Sequence, residues 1–338
     1  MTLLYFFVAV FGIIVLVRIM NIVQLSEELS DDTENEQMIR DNPLNAMGLV
    51  TFCFVGLTLF FYMCWKYMPY MLPEAASIHG KETDFLLNVN FMVIIVVFLI
   101  TQIALFWFIW KYRFRKGERG YYYPHNNTVE VIWTVAPTIV LAGLIITGLK
   151  SWNNITQSVH NDGMNIQIYA KQFNFTTRYA GKDNILGESY YKNITDDNPL
   201  GVKKETASMD DVVASELHLV VNQPVMLKIN SRDVIHSVYL PHFRTQMNAV
   251  PGMTTEFYFV PTITTAEMRK KLNNPKFDYV LLCNKICGVS HYTMNMKVVV
   301  EGPTEFKGWL ATQKFVFPQD STTASITAPA NVKSLAVK

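Results

Sequence analysis

The chain has 338 residues, with 29 Lys and Arg against 28 Asp and Glu, and a net charge of +1. A balance this close to neutral gives no reason to expect nucleic acid or a strongly acidic partner. Half of the residues are apolar, and they crowd before residue 152, which marks membrane spans rather than one large core.

The first apolar run covers residues 3–17 and reaches Val23 past Arg18. A signal peptide needs a basic leading region and a small-residue cleavage site. Met1-Thr2-Leu3-Leu4-Tyr5 supplies neither, so a retained span is expected. Residues 24–45 are polar and acidic (Glu27, Glu28, Asp31, Asp32, Glu34, Glu36) and read as a solvated loop or short helix. A second span is predicted over 46–65. It ends in Tyr62, Trp65, Tyr67 and Tyr70, residues that favour the headgroup level, and Pro69 and Pro73 stop the helix. Cys53 and Cys64 lie within this span and read as small buried hydrophobes. A third span is predicted over 88–110, followed at once by Lys111, Arg113, Arg115, Lys116 and Arg119. That basic cluster places the loop in the cytoplasm by the positive-inside rule. The fourth span, 131–149, then delivers everything after Trp152 to the opposite, periplasmic side of a bacterial inner membrane.

From Asn165 the pattern changes to short alternating runs. Strands are predicted at 166–169, 216–221, 225–229, 234–240, 255–260, 279–283 and 296–300, separated by Asn, Pro and Gly turns. Short strands at this spacing indicate an all-β sandwich or barrel. Residues 181–212 read as a polar surface insert, and 317–338 as a flexible tail. The expected organisation is therefore two helices with their loops over 1–87, a helical hairpin over 88–151, a β-domain over 152–316 and a tail over 317–338.

The chemistry lies in Cys283-Asn284-Lys285-Ile286-Cys287-Gly288-Val289-Ser290-His291-Tyr292-Thr293-Met294. Two thiolates, an imidazole and a thioether fall within one loop. Thiolate and thioether select soft metals, and imidazole suits copper. His236 is the best candidate for a second imidazole. Two thiolates separated by three residues can each bridge two ions, with Met294, one His per ion and a main-chain carbonyl filling the remaining positions. Two other readings stand beside this one. A disulfide could join Cys283 to Cys287. A structural zinc could use Cys283, Cys287, His291 and His236, although it would leave Met294 without a purpose. No Cys-x-x-Cys-His occurs, so no c-type haem is attached to this chain.

These residues carry a resemblance. His125-Asn126-Asn127-Thr128-Val129-Glu130-Val131-Ile132-Trp133-Thr134-Val135-Ala136-Pro137, Asp233-Val234-Ile235-His236-Ser237, Ala249-Val250-Pro251-Gly252 and the Cys loop together resemble subunit II of a haem-copper cytochrome c oxidase. The resemblance covers roughly residues 88–316, and no single motif would be specific alone. It implies a cupredoxin-like β-barrel holding two copper ions, the dinuclear CuA centre. Cys283 and Cys287 would bridge the ions, His236 and Met294 would complete one, and His291 with the Lys285 carbonyl the other. It places Glu130 at the mouth of a proton channel shared with subunit I; the plainer reading is a carboxylate at a helix start. It also implies partners: haem-bearing subunit I, subunit III, cytochrome c and surrounding lipid.

Four positions depart from the family pattern. Lys285 stands where the family has a Glu that also binds magnesium, and an ammonium cannot ligate a cation. Phe173, in Gln172-Phe173-Asn174-Phe175, stands where the family has the tryptophan that receives electrons from cytochrome c, and Phe175 where it has the second. Asn248 replaces an acidic residue that attracts that donor. The changes at Phe173 and Asn248 point to a membrane-bound cytochrome c, or one held in a supercomplex with a quinol-oxidising complex. The two helices within 1–87 have no counterpart in the family's two-helix hairpin and are expected to dock a further partner. His79, His160, His218 and His242 read as surface or supporting histidines. The expected function is electron acceptance for a proton-pumping oxidase whose oxygen-reducing site lies in subunit I. The alternatives are a copper-free quinol oxidase subunit of the same fold and a membrane-anchored copper carrier.

Overall fold

The computed structural model describes residues 2–28, 36–115, 118, 120–156 and 163–317, with the backbone alone for 2–10, 24, 26–28 and 36–41. The middle of the acidic run, Lys116 and Arg119 of the basic cluster, His160, and the tail beyond Phe317 lie outside the described residues.

Four long helices come first: α1 (Thr2–Glu28), α2 (Glu36–Tyr67), α3 (Ile78–Lys111) and α4 (Asn127–Thr156). Among the described residues, Asn42–Tyr70, Ile78–Lys111 and Asn127–Thr156 are long and apolar enough to cross a membrane, and Phe11–Val23 is a shorter apolar stretch within α1. Three of the four predicted spans are thus present as membrane-length helices. Their large side chains face outward, as with Phe54 at 73% and Trp65 at 76% exposed, which suits helices surrounded by lipid or partner subunits. Threonine hydroxyls within them bond back to their own helix, Thr58 to the Phe54 carbonyl at 2.8 Å and Thr138 to the Thr134 carbonyl at 2.6 Å. Those two hydroxyl donors are thereby satisfied in an apolar medium.

Helices α2 and α3 pack antiparallel. Phe60 meets Phe98 with ring centroids 5.3 Å apart, Phe52 meets Phe106 at 6.3 Å, and the Asn42 amide donates to the Phe114 carbonyl at 3.2 Å. As position advances along one helix it retreats along the other.

The β-domain holds two sheets. One has the order β11-β3-β2-β1-β5-β8 and the other β4-β10-β9-β6-β7. The strands are β1 (Met164–Lys171), β2 (Asn174–Tyr179), β3 (Val212–Ala214), β4 (Leu217–Val220), β5 (Val225–Ser231), β6 (His236–Leu240), β7 (Thr245–Ala249), β8 (Thr255–Phe259), β9 (Tyr279–Leu282), β10 (Asn295–Glu301) and β11 (Lys314–Phe315). All seven predicted strands are present. Ile166, Ile168, Leu217, Leu219, Leu227, Ile229, Leu281 and Val298 are fully buried in one core.

Four strands escaped the sequence reading. In β2 the apolar alternation is broken by Arg178, which is buried at 2% exposure and paired with Asp211 at 3.1 Å. The edge strand β7 reads Thr-Gln-Met-Asn-Ala, too polar to register as a strand. β3 and β11 are too short to show a period. The insert 181–212, expected as a surface loop, is fastened to the domain. Arg178 also donates to the Gly187 carbonyl at 2.8 Å, and Leu200, Val202 and Ser208 are buried.

The stretch leading into α3 is part of this domain. Ala76 N–H donates to the His242 carbonyl at 2.7 Å, Thr262 N–H to the Ala76 carbonyl at 2.8 Å, and the Ser77 hydroxyl to the Phe243 carbonyl at 2.7 Å. The Arg244 guanidinium grips both Asp84 carboxylate oxygens, at 2.7 and 3.0 Å, together with the Pro73 carbonyl. The first turns of α3 are therefore held on the domain. The helix has 34 residues, about 50 Å at 1.5 Å per residue, and enough remains beyond those turns for a hydrocarbon layer of ~30 Å.

Candidate metal centre

Strand order builds the site. β9 ends at Leu282, the Cys loop follows, and β10 begins at Asn295, paired with Leu282. Cys283 N–H donates to the Met294 carbonyl at 3.1 Å and closes the loop at its base. β6 runs antiparallel to β9, with Tyr239 opposite Leu282. Its first residue, His236, therefore lies at the end where the Cys loop starts.

All six predicted donors meet there. Cys283 Sγ and Cys287 Sγ are 3.8 Å apart, and Cys283 Sγ is 4.0 Å from His236 Nδ1 and 3.2 Å from the Lys285 carbonyl. Cys287 Sγ is 3.6 Å from His291 Nδ1 and 3.8 Å from Met294 Sδ. His236 is fully buried, and Cys283, Cys287 and Met294 are buried as well. Both thiols are free. Their separation is too long for a disulfide, yet short enough for one ion to reach both sulfurs through bonds near 2.3 Å. Among the described residues, His236, Cys283 and Cys287 are the grouping whose ligand atoms all fall within 4.8 Å of one another. The donors fit soft copper, because Met294 is turned into the cluster rather than away from it.

Hydrogen bonds around the donors fix their orientation. The His236 Nε2 side faces Asp233 Oδ1 at 2.7 Å, so Nδ1 is the nitrogen offered to a metal. This is the usual way a carboxylate sets the tautomer of a ligating histidine. Burial alone would raise the Asp233 carboxyl, but hydrogen bonds from the Gln172 N–H, the His236 ring and the Val234 N–H outweigh it and hold the group below the usual carboxylate range. Gln172 links the two halves of the site. Its N–H donates to Asp233 Oδ2 at 2.7 Å and its side-chain amide to the Cys287 carbonyl at 2.6 Å. Asp233 and Gln172 lie beside predicted site residues in the chain, yet neither role is legible in the sequence. The one local signal was a carboxylate three residues before a candidate ligand.

Burial, with the hydrogen bond to Cys283 and its charge, pushes the Cys287 thiol up to about 11. Below that pH the metal-free thiol keeps its proton, and a bound metal must displace it. Copper affinity is therefore expected to rise about tenfold per pH unit for this proton and to level off above pH 11. Titrating a copper chelator competition across pH checks the slope.

Phe173 lies against the Cys loop. Gly288 has φ +140°, and a Cβ there would stand 2.8 Å from Gln172 Nε2 and 2.9 Å from the Phe173 ring. Gly288→Ala is expected to displace the ring and to cost about 1–3 kcal/mol of stability, read as a lowered Tm. Phe175 is buried in the core at 4% exposure. Lys285 is exposed, and its contribution to the cluster is its carbonyl. Glu130 stands in the first turn of α4. His218 is stacked on Trp309 at 3.7 Å between Glu301 and Glu216, and His242 packs edge-on against Phe277 and Tyr279. His79 packs against Phe257. His218 is thus held by two carboxylates and an indole ring, and His79 and His242 lie against aromatic rings.

Fold and site together define a membrane protein whose β-sandwich domain carries a thiolate, imidazole and thioether cluster at one pole. Residues 65–151 match the transmembrane domain of cytochrome c oxidase subunit II, and residues 164–302 match its periplasmic domain. The alternative cytochrome c oxidase subunit 2 of Bradyrhizobium diazoefficiens is 32% identical over 234 residues, covering 68% of this chain and 80% of that one. Cytochrome c oxidase subunit 2 of Thermostichus vulcanus is 26% identical over 266 residues, 71% of this chain and 77% of that one. The crystal structure of the periplasmic domain of subunit II of the cytochrome oxidase of Bradyrhizobium japonicum is 22% identical with a TM-score of 0.32, covering 45% of this chain and 94% of that one. The chain belongs to the cytochrome c oxidase subunit II family, and is thus a component of an oxidoreductase complex of the haem-copper type.

Proposed function

We propose that this chain accepts electrons from a cytochrome c at a dinuclear copper centre and passes them to haem in subunit I, where oxygen is reduced and protons are pumped. The observation that carries the reading is the convergence of six donors around two free sulfurs 3.8 Å apart. Two copper ions sharing both thiolates would supply one-electron redox chemistry. The chain's own part is to hold the donors still. Asp233 orients His236, Gln172 ties Asp233 to the Cys287 carbonyl, and β9 and β10 clamp the loop. Little then has to move when the electron count changes. A copper-free quinol oxidase subunit would have no use for this cluster. A copper carrier would have no use for two membrane-length helices of the oxidase hairpin type.

In this reading α1 is a fourth span, and the basic end of α3 faces the cytoplasm of a bacterial inner membrane. Glu130 helps form a proton path with subunit I, the Lys285 ammonium takes the place of the magnesium ion by pairing with carboxylates of the partner, and subunit III completes the core. The loop tips around the cluster are apolar and open, with Ile286 88%, Val289 90% and Tyr292 86% exposed. Together with Phe173 and Asn248, they favour a donor held in the membrane or in a supercomplex over one steered by charge. Charge steering changes association rates by ~10–1,000-fold and is lost in salt. Reduction by the native donor is expected to change much less than tenfold across the same salt range, as stopped-flow mixing would show. Stopped-flow mixing of the purified oxidase with reduced cytochrome c tests the function itself. A near-infrared copper band that changes before the haem bands supports the proposal, and haem reduction with no such band refutes it.

A further inference from the structure

We propose that the C-terminal end of α3 binds the headgroup of an anionic phospholipid. A cavity of about 430 Å³ opens there, lined by Trp107, Trp110, Lys111, Tyr112, Arg115 and Glu118. The apolar run of α3 stops at Trp110, and cations follow. Tryptophan and tyrosine settle at the membrane–water boundary, so the cavity lies at the depth of lipid phosphates. Among the described residues three cations stand nearby, but Arg113 is already engaged. Its guanidinium lies 4.2 Å from the Trp110 ring centroid and donates to the Trp110 carbonyl at 2.7 Å. Lys111 and Arg115 line the cavity and are both exposed. Lys111 Nζ lies 5.3 Å from the Tyr112 ring centroid, a contact that uses none of its N–H donors, which stay open to a ligand. Arg115 also meets Glu118 at 3.4 Å, but both partners are open to solvent, and such a pair is weak enough to yield to a phosphate. One carboxylate against two cations leaves the lining positive. Trp107, 55% exposed on the same helix a turn deeper, gives an acyl chain a surface to lie on, which free phosphate cannot use. A zwitterionic lipid would bring its own cation to an already positive site.

The test uses the intact oxidase, purified in detergent, stripped of lipid and titrated by native mass spectrometry. Phosphatidylglycerol is expected to remain on this chain at concentrations where phosphatidylcholine does not. Each basic side chain at the membrane surface is worth roughly fivefold in affinity, so Lys111→Gln with Arg115→Gln should weaken binding roughly 30-fold. Arg113→Gln should change it little. Equal retention of the two lipids overturns the proposal, as does undiminished binding by the double variant. Displacement by inorganic phosphate at matching concentration overturns the lipid assignment in favour of a plain phosphate site. If the double variant does not assemble, the comparison of the two lipids on the unaltered protein decides.

Discussion

Replacing Cys283 by serine is expected to abolish the metal centre while leaving the domain folded. The thiol sits between His236 Nδ1 at 4.0 Å, the Lys285 carbonyl at 3.2 Å and Cys287 Sγ at 3.8 Å. A serine hydroxyl fits the same space, so the core loses almost no volume. It stays protonated at neutral pH and is a hard donor, whereas the proposed dinuclear copper centre would need a soft, charged sulfur that two ions can share. Losing a mere supporting hydrogen bond typically costs 10–100-fold in metal affinity; losing a bridging ligand should cost more. The expected result is a chain with the unfolding profile of the metal-free wild type, no near-infrared band and no electron uptake. Met294→Leu should be milder, because a shape-conserving change removes one terminal donor and leaves both sulfurs.

The second large effect concerns stability. Arg178 and Asp211 are 2% and 0% exposed and form an ion pair at 3.1 Å. Asp211 Oδ2 also accepts from Gly187 N–H at 3.0 Å, and Arg178 donates to the Gly187 carbonyl at 2.8 Å. Asp211→Asn keeps the shape but strands a guanidinium charge inside the protein. Breaking one side of a buried pair costs about 3–5 kcal/mol, a large share of what holds a typical domain together. Denaturant unfolding of the variant should show this loss. Replacing both residues by apolar ones should recover part of it, though not all, because the Gly187 N–H and C=O would lose their partners. The expected local consequence is release of the 181–212 insert, visible as faster hydrogen exchange there.

The site was more legible than its support, for a physical reason. Cys283, Cys287, His291 and Met294 share one loop, so their spacing is written in consecutive residues, and His236 announces itself through its flanking motif. Apart from Asp233, three residues before His236, the support for the site and its domain is not local. Gln172 reaches Cys287 across 115 positions and Arg244 reaches Asp84 across 160, and no period or propensity encodes such pairings. The same holds for Ala76 and Ser77, which look like linker but lie at 0% exposure on the β-domain. β2 was hidden by a buried arginine whose partner comes from the insert, and β7 by the polarity that an edge strand tolerates. The membrane helices α2, α3 and α4 were plain because an apolar surround demands long apolar runs. The first apolar stretch was the weakest of the four, and Phe11–Val23 is the part of α1 that the described side chains show to be apolar.

In the proposed centre, two copper ions would share one electron through the sulfurs of Cys283 and Cys287. Copper analysis with electron paramagnetic resonance on the full-length protein, loaded in detergent, tests it most directly. Two coppers per chain and a multi-line hyperfine pattern from one unpaired electron spread over both nuclei are the predicted result. A single copper with an ordinary four-line spectrum, or one zinc bound tetrahedrally with no resonance, would contradict the account.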